Sequence, residues 1–274
     1  MPELPEVEVL RRSLIPHLVG VRVESIRVAD SRLREPVRPE VLHDLVEGRS
    51  IRRLDRRAKY LLVDLEGDAT MAIHLGMSGR LTVAPLDAPT EKHEHVAFGL
   101  SSGSRLRFRD PRRFGLVFAI ASEELAGDRH FRHLGREPLD QDFSGEDLAV
   151  AAARRRGPVK GFLMNGSIVV GVGNIYVCEV LHLARVHPRR SVARISKRTW
   201  GRIASAIKSV LASAIEQGGT TLNDFANGEG EAGYFQVALS VYGRAGEACG
   251  RCGRTIKRIV QSGRGTFFCP GCQR

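Results

Sequence analysis

The chain has 274 residues, 42% of them hydrophobic, which suits two domains of ordinary size with packed cores. Lysine and arginine outnumber acidic residues 42 to 31, and the formal charge of +11 predicts a polyanionic partner, with nucleic acid ahead of an acidic membrane surface. No apolar run is long enough to cross a bilayer, and the first residues lack the pattern of a secretory signal. We therefore expect a soluble protein that is neither membrane-embedded nor exported.

The chain opens with MPELPEVEVL, in which Pro2 and Glu3 follow the initiator methionine. Removal of that methionine exposes a proline α-amine, whose pKa of about 8 leaves a nucleophilic fraction at neutral pH. Because proline is a secondary amine, its condensation with an aldehyde carbon gives a cationic iminium, and Glu3 places a carboxyl beside it for proton transfer. The structural alternative is an ordinary helix start, where proline and early acids are common.

The first half of the chain predicts one helix followed by short strands. Apolar residues recur at three- and four-residue steps over 4–18, which is typical of an amphipathic helix. Alternating segments separated by turn residues then favour an antiparallel sandwich. The predicted strands are 21–28, 59–66, 71–77, 80–85, 95–100 and 105–110.

The second half predicts helices and a terminal hairpin. Helical patterns cover 145–156, about 160–165, 174–184 and 196–217, and a glycine-rich stretch follows that is long enough to be a functional lid. We expect an α+β protein with an N-terminal helix and β-sandwich domain (1–132), a linker (133–144), a helical domain (145–239) with a recognition loop (217–237), and a zinc hairpin (240–274).

Four of the five cysteines lie in the last 26 residues as two C-x-x-C pairs, with 16 residues between the pairs. This spacing is typical of a four-cysteine zinc site, and no export signal favours disulfides. We predict one structural Zn²⁺ bound by Cys249, Cys252, Cys269 and Cys272. Cys178 has no partner in the pattern and is expected to be a small buried hydrophobe.

Eight motifs occur in order along the chain. They are MPELPEVE (1–8), RRAKYLL (56–62), HLGMSG (74–79), EKHEHV (91–96), DPRRFG (110–115), VVGVGNIY (169–176), EQGGTTL (216–222) and the terminal four-cysteine knuckle. The sequence resembles the bacterial formamidopyrimidine-DNA glycosylase family, whose members remove oxidised purines such as 8-oxoguanine from DNA. The resemblance implies a double-stranded DNA partner and a cytoplasmic, nucleoid-associated enzyme, and we expect a monomer.

The resemblance also implies the catalytic residues. Pro2 matches the nucleophile that attacks C1′ of the damaged nucleotide, and Glu3 matches the proton donor at the sugar. Lys59 matches a lysine that assists elimination and holds a phosphate, although an exposed strand lysine is the structural alternative. Arg264 matches the arginine that clamps the phosphates flanking the lesion, a task suited to the guanidinium fork.

Glycosylases must flip the target base out of the duplex, and the gap has to be filled. Met77, Arg112 and Phe114 match the three residues that fill it in this family, although Met77 and Phe114 taken singly are typical core residues. The remaining matches are expected DNA contacts. We expect Asn174 to cap a helix and also to donate to a phosphate. For Tyr242, packing above the zinc knuckle is equally consistent. These contacts are His74, His93, Arg155, Lys160, Asn174 and Tyr242.

Two alternatives stay open at the level of sequence. An endonuclease VIII-like glycosylase uses the same proline chemistry on oxidised pyrimidines, although PELPE rather than PEGPE and the Arg112–Phe114 pair favour the purine enzyme. A non-catalytic zinc-dependent DNA-binding protein explains the charge and the cysteines, but it leaves Pro2 and Lys59 unexplained. The chain also departs from some relatives in having Ser78, where they place a glutamate.

Overall fold

The computed structural model describes residues 2–219 and 239–274. The described chain forms two compact units, one made of residues 2–132 with 217–219 and the other of 133–216 with 239–274. Met1 and nearly all of the recognition loop expected at 217–237 lie outside the described residues. No helix in the described part of the chain is long and apolar enough to cross a membrane.

The N-terminal unit contains two helices and eight strands among the described residues. They are α1 (Leu4–Leu18), β1 (Val23–Val28), α2 (Pro39–Leu45), β2 (Ile51–Arg57), β3 (Tyr60–Leu65), β4 (Ala69–His74), β5 (Arg80–Pro85), β6 (Glu94–Leu100), β7 (Ser104–Arg109) and β8 (Leu116–Ala121). The strands form two four-stranded antiparallel sheets, ordered β1-β6-β7-β5 and β2-β3-β4-β8. Side chains from both sheets and from α1 share one hydrophobic core, which confirms the predicted helix and sandwich.

Three of these elements were absent from the sequence-based prediction. The strand β2 reads IRRLDRR, and only Ile51 and Leu54 in it are buried, so its charged residues hide the alternation that marks a strand. The strand β8 reads LVFAIA, an apolar run whose periodicity does not distinguish a strand from a helix. The helix α2 has only seven residues, too few for a clear amphipathic pattern.

Helix α1 buries a charged residue beside its apolar stripe. The carboxylate of Glu8 accepts hydrogen bonds from Arg11 and Arg12 at 2.8 Å each, and Arg56 Nε of β2 lies 3.4 Å from it. Burial acts to raise the pKa of Glu8, but these hydrogen bonds and the charge of Arg56 lower it below its usual value. Arg56 also donates to the carbonyl of Ala58 at 3.0 Å. The helix is thereby joined to the turn that follows β2.

The C-terminal unit is helical and ends in a β-hairpin. Its elements are α3 (Gly145–Ala152), α4 (Val159–Leu163), α5 (Asn174–Leu183), α6 (Lys197–Glu216), β9 (Lys257–Gln261) and β10 (Arg264–Phe268). The helix predicted over 145–156 ends early, at Ala152, and the chain has left the helix before it reaches Gly157, which has a φ of +105°. Helix α5 is buried over most of its length, with Tyr176 fully enclosed, and is the centre of this unit.

Candidate functional site

Pro2 lies outside the helix that follows it. Helix α1 begins at Leu4, Glu3 is its N-cap and Pro5 lies in its first turn, so Pro5 rather than Pro2 takes the structural place of a helix-start proline. Pro2 is nevertheless buried, and Glu3 and Glu6 are 2% and 1% exposed. Glu6 Oε2 accepts the Glu3 N–H at 2.8 Å, which fixes the backbone next to Pro2.

Lys59 lies in the two-residue turn between β2 and β3, not within a strand. The preceding Ala58 has a φ of +55°, and its carbonyl accepts the hydrogen bond from Arg56. Lys59 is half-buried, and its charge acts on His74. Lys59 therefore lies at the closed end of the β2–β3 hairpin, which argues against the alternative of an ordinary strand lysine.

His74, at the end of β4, is buried and neutral. Burial, together with the positive charges of Arg34 and Lys59, lowers its pKa to about 3. Its Nδ1 accepts the Gly76 N–H at 2.9 Å, and its ring lies 4.8 Å from the ring of Tyr60. The Nε2–H is therefore the group that His74 can offer to a DNA phosphate, as a neutral donor rather than as a cation.

Met77, Arg112 and Phe114 come together on two adjoining loops. Met77 is 36% and Phe114 is 42% exposed, so the core interpretation of these two residues is wrong. The guanidinium carbon of Arg112 lies 4.9 Å from the centre of the Phe114 ring. Gly76 has a φ of +63°, and a Cβ there would lie 2.4 Å from the Phe114 carbonyl carbon, so only glycine allows the loops to approach this closely.

The carboxylate of Asp110 organises these loops, and sequence reasoning missed it. It is fully buried and accepts hydrogen bonds from the Ser78 hydroxyl at 2.6 Å and the Gly115 N–H at 2.7 Å. The Asp110 N–H in turn donates to the carbonyl of His93 at 3.0 Å. Ser78 is thus engaged in loop structure and not directed at a base. The signal available in the sequence was the acid before Pro111 in DPRRFG, a common turn pattern.

In the C-terminal unit, Lys160, Asn174 and β10 form a second cluster. The Lys160 ammonium is buried and donates to Asn174 Oδ1 at 2.7 Å and to Thr266 Oγ1 at 2.6 Å. Asn174 Nδ2 donates to the Gly265 carbonyl at 3.0 Å. The expected helix-cap role of Asn174 is wrong, because Gly173 is the N-cap of α5 and the Asn174 side chain binds Lys160 and β10 instead.

Arg264 is exposed at the start of β10, next to this cluster. Its side chain lines a cavity of about 610 Å³ together with Lys160 and Arg189. The rings of Phe267 and Phe268 pack against Tyr242 and His187. Two exposed arginines, Arg189 and Arg264, and the buried Lys160 thus give this cavity a positive charge.

Arg155 and Tyr242 lie apart from this cavity wall. Arg155 is exposed in the turn after α3. Tyr242 is half-buried, its ring lies 5.0 Å from that of Phe267, and its N–H donates to Glu179 Oε1 at 2.8 Å. Glu179 also accepts the N–H groups of Ser240 and Val241, so it anchors the segment that leads into the hairpin. The contacts of Tyr242 agree with packing above the knuckle.

The four terminal cysteines form a cluster whose Sγ atoms all lie within 4.8 Å of one another. Tetrahedral Zn–S bonds of about 2.3 Å require sulfur separations of about 3.8 Å. The Cys249–Cys272 and Cys252–Cys269 pairs are 3.9 and 3.4 Å apart, so the residues fit one zinc ion. Cys178 is buried in the core, as expected.

The thiol groups of this cluster differ in acidity. Although burial opposes it, the N–H groups of Arg251 and Cys252 and the His182 ring lower the pKa of Cys249 to about 6. Burial and the neighbouring thiols raise the pKa of Cys272 to about 12. A divalent cation removes this conflict by holding all four sulfurs as thiolates.

We expect the His74→Asn variant to resist acid better than the wild type. The folded pKa of His74 lies below its unfolded value of about 6.5, so the unfolded state binds more protons and stability falls as the pH drops from about 6.5 toward 3. Asparagine keeps an acceptor for the Gly76 N–H but does not titrate. Between pH 7.5 and 4.5, urea unfolding should show the wild type losing about 2–3 kcal/mol more than the variant. Equal losses would contradict the burial of a neutral His74.

We expect Cys252→Ala to lose the zinc, since the small hairpin has little besides the metal to hold it together. Metal analysis should find about one zinc per wild-type chain and almost none in the variant, and DNA affinity should fall with it. Circular dichroism should still show the β-structure of the N-terminal unit. The matched control is Cys178→Ala, which should keep its zinc. A full equivalent of zinc in Cys252→Ala would refute the four-cysteine site.

Comparison with known proteins assigns the whole chain. Residues 1–117 match the formamidopyrimidine-DNA glycosylase N-terminal domain, residues 134–226 its H2TH domain, and residues 246–274 the zinc finger found in FPG and IleRS. Formamidopyrimidine-DNA glycosylases of Alteromonas mediterranea and Xanthomonas oryzae are 48% and 45% identical to it, with complete coverage of both chains.

Solved structures agree. The Lactococcus lactis Fpg (MutM), in complex with DNA containing N7-benzyl-Fapy-dG, is 34% identical and superposes with a TM-score of 0.91 over 100% of both chains. The MutM (Fpg) protein of Thermus thermophilus is 37% identical, with a TM-score of 0.88 over 99% of this chain and 98% of that one. The zinc finger match and the cysteine cluster confirm the zinc prediction. The chain therefore belongs to the formamidopyrimidine-DNA glycosylase family.

Proposed function

We propose that this protein is a bifunctional DNA glycosylase and abasic-site lyase that removes oxidised purines, with the amine of Pro2 as its nucleophile. The observation that carries the proposal is the placement of Pro2: a buried proline, ahead of an N-terminal helix that takes its helix-start proline from Pro5. Related Fpg and MutM structures are complexes with DNA that contains Fapy-dG or carbocyclic 8-oxo-G. We extend that substrate class to this chain.

In the proposed reaction Met1 has been removed, and the Pro2 nitrogen attacks C1′ of the flipped nucleotide and gives up its proton; the bond from C1′ to the base breaks, and the base takes up a proton as it leaves. Glu3, buried beside Pro2, protonates the sugar ring oxygen, so that the C1′–O4′ bond opens and the iminium forms. The iminium makes C2′ acidic, so C2′ loses a proton and an enamine forms. The enamine electrons then break the bond from C3′ to oxygen, and the 3′ phosphate leaves. A second elimination expels the 5′ phosphate, and water releases Pro2.

The other predicted residues hold the DNA in this proposal. Lys59 balances phosphate charge near the sugar, while Met77, Arg112 and Phe114 fill the space left by the flipped base, which the exposure of both apolar residues supports. Arg264 binds a phosphate at the cavity it lines, and the buried ammonium of Lys160, held by Asn174 and Thr266, adds positive charge behind that contact. His74, His93, Arg155, Asn174 and Tyr242 stay predicted contacts or supports. We further propose that the protein acts as a monomer on duplex DNA in the bacterial nucleoid.

Borohydride trapping tests the function directly. The purified protein is incubated with duplexes that carry 8-oxoguanine or thymine glycol, and borohydride is added to reduce the iminium to a stable amine. We expect a covalent adduct with the 8-oxoguanine duplex. An adduct with thymine glycol alone would favour the endonuclease VIII-like activity. If neither duplex gives an adduct, the proposed proline chemistry is refuted.

We expect Pro2→Gly to slow base excision and strand cleavage by roughly tenfold or more while duplex binding changes little. Glycine keeps an α-amine, but it loses the ring and the obligatory iminium cation. Single-turnover kinetics with enzyme in excess provide the measurement, and gel-shift affinity for undamaged duplex provides the control. Wild-type rates in this variant would exclude Pro2 as the nucleophile.

Arg264→Ala should weaken binding of a lesion duplex by about 1.5–3 kcal/mol and flatten its salt dependence by about one unit for each phosphate that the arginine binds. Arg264→Lys keeps the charge without the fork, so it should restore the salt slope more fully than the cleavage rate. If Arg264 has only a structural role, both substitutions should instead lower the melting temperature of the protein. An unchanged slope in a folded Arg264→Ala protein rules the clamp out.

A further inference from the structure

A second cationic cavity lies in the C-terminal unit, beside the zinc ligands. It has a volume of about 520 Å³, and besides Cys252, Gly271 and Cys272 its lining consists entirely of arginines. We call it the arginine pocket. It is lined by Arg185, Arg190, Arg202, Arg251 and Arg274.

The charges of the arginine pocket are not compensated by acidic side chains. Within residues 2–219 and 239–274, none of the five arginines forms an ion pair with an aspartate or a glutamate. The Arg190 guanidinium donates only to main-chain oxygens of Arg194 and Arg274, and Arg202 donates to the Thr199 hydroxyl. The zinc-bound thiolates of Cys252 and Cys272 offset part of this charge, but five guanidinium groups outnumber them, and a bound polyanion relieves the remaining repulsion.

The arginine pocket is distinct from the cavity of Lys160 and Arg264. The two cavities share no lining residue, although Arg189 lines one and its neighbour Arg190 lines the other. The candidate catalytic phosphate site therefore does not account for the arginine pocket.

The lining also indicates which part of an anion is recognised. Among the residues that the structure describes, it contains no aromatic side chain on which a base could stack, so these residues offer a nucleoside no platform. Guanidinium forks match phosphate oxygens in a bidentate manner. The chemistry therefore fits a row of phosphates rather than a nucleotide read through its base.

We propose that the arginine pocket is a second, non-catalytic binding site for the phosphate backbone of duplex DNA. The proposal rests on the proposed function in one respect, namely that duplex DNA is the polyanion this protein meets. Such a contact adds affinity for undamaged duplex, and it leaves the chemistry at Pro2 unchanged because none of its residues belongs to the proposed catalytic set.

The test compares two triple variants that remove equal charge. Arg185, Arg202 and Arg251 are replaced by alanine in the first variant. In the control, alanine replaces Arg22, Arg52 and Arg53, exposed arginines of the N-terminal unit that each lie within 4.0 Å of a carboxylate. Affinity for an undamaged 30-base-pair duplex is measured at several salt concentrations. Removing one phosphate-binding cation reduces the slope of log K against log salt by about 0.9. The slope should therefore decrease by about one to three units in the first variant and by less than one unit in the control.

Further arms separate charge, folding and ligand source. Lysine at the same three positions should restore the slope, and Arg251→Ala alone should flatten it by about one unit if the triple variant does not fold. An unchanged slope in the folded alanine variant overturns the proposal. A loss of inorganic tripolyphosphate binding with an unchanged duplex slope also overturns it, in favour of a free polyphosphate. The alanine triple variant should excise 8-oxoguanine at the wild-type single-turnover rate. If the wild-type protein itself does not excise 8-oxoguanine, the proposed function is wrong, but the salt slopes still test the arginine pocket.

Discussion

The proposed chemistry depends on immobilising the start of the chain, because chain ends ordinarily fray and a nucleophile must be held against its target. Helix α1 meets this requirement by burying its apolar stripe in the core shared by both sheets. Glu8 adds a charged anchor through Arg56, which also binds the carbonyl of Ala58. One network therefore fixes both the helix that follows Pro2 and the turn that carries Lys59.

Exposed apolar side chains are costly to keep in place, and here a buried carboxylate supports them. Asp110 holds the loop of Arg112 and Phe114 against Ser78, while Gly76 allows the two backbones to touch. Because this support is internal, Met77 and Phe114 can stay partly exposed on loops that are held in place. This arrangement suits the wedge that we propose, since both side chains are already exposed in the folded protein.

The C-terminal unit solves a different problem, which is to gather positive charge on a small hairpin. Repulsion among cations would open such an element, and the thiolates around zinc offset part of the charge. The Glu179 carboxylate of α5 binds the segment before the hairpin, and the Asn174 amide of α5 binds the hairpin itself. Arginines can then line two separate cavities, which we propose bind phosphates.

The sequence by itself determined the features that depend on neighbouring residues: the stripe of α1, the helices from α3 to α6, the C-x-x-C pairs and the ordered motifs. Tertiary structure alone decided the partners of the buried polar groups. Ser78 and Asp110 are 32 residues apart, Glu179 and Val241 are 62 apart, and Asn174 and Gly265 are 91 apart. Local patterns indicate only which face of an element is apolar, and neither β2 nor β8 shows a clear alternation. The partners of Asn174 are distant in the sequence, so its local position predicted a helix cap instead. A hydrogen bond across such separations exists only after the core has brought its elements together.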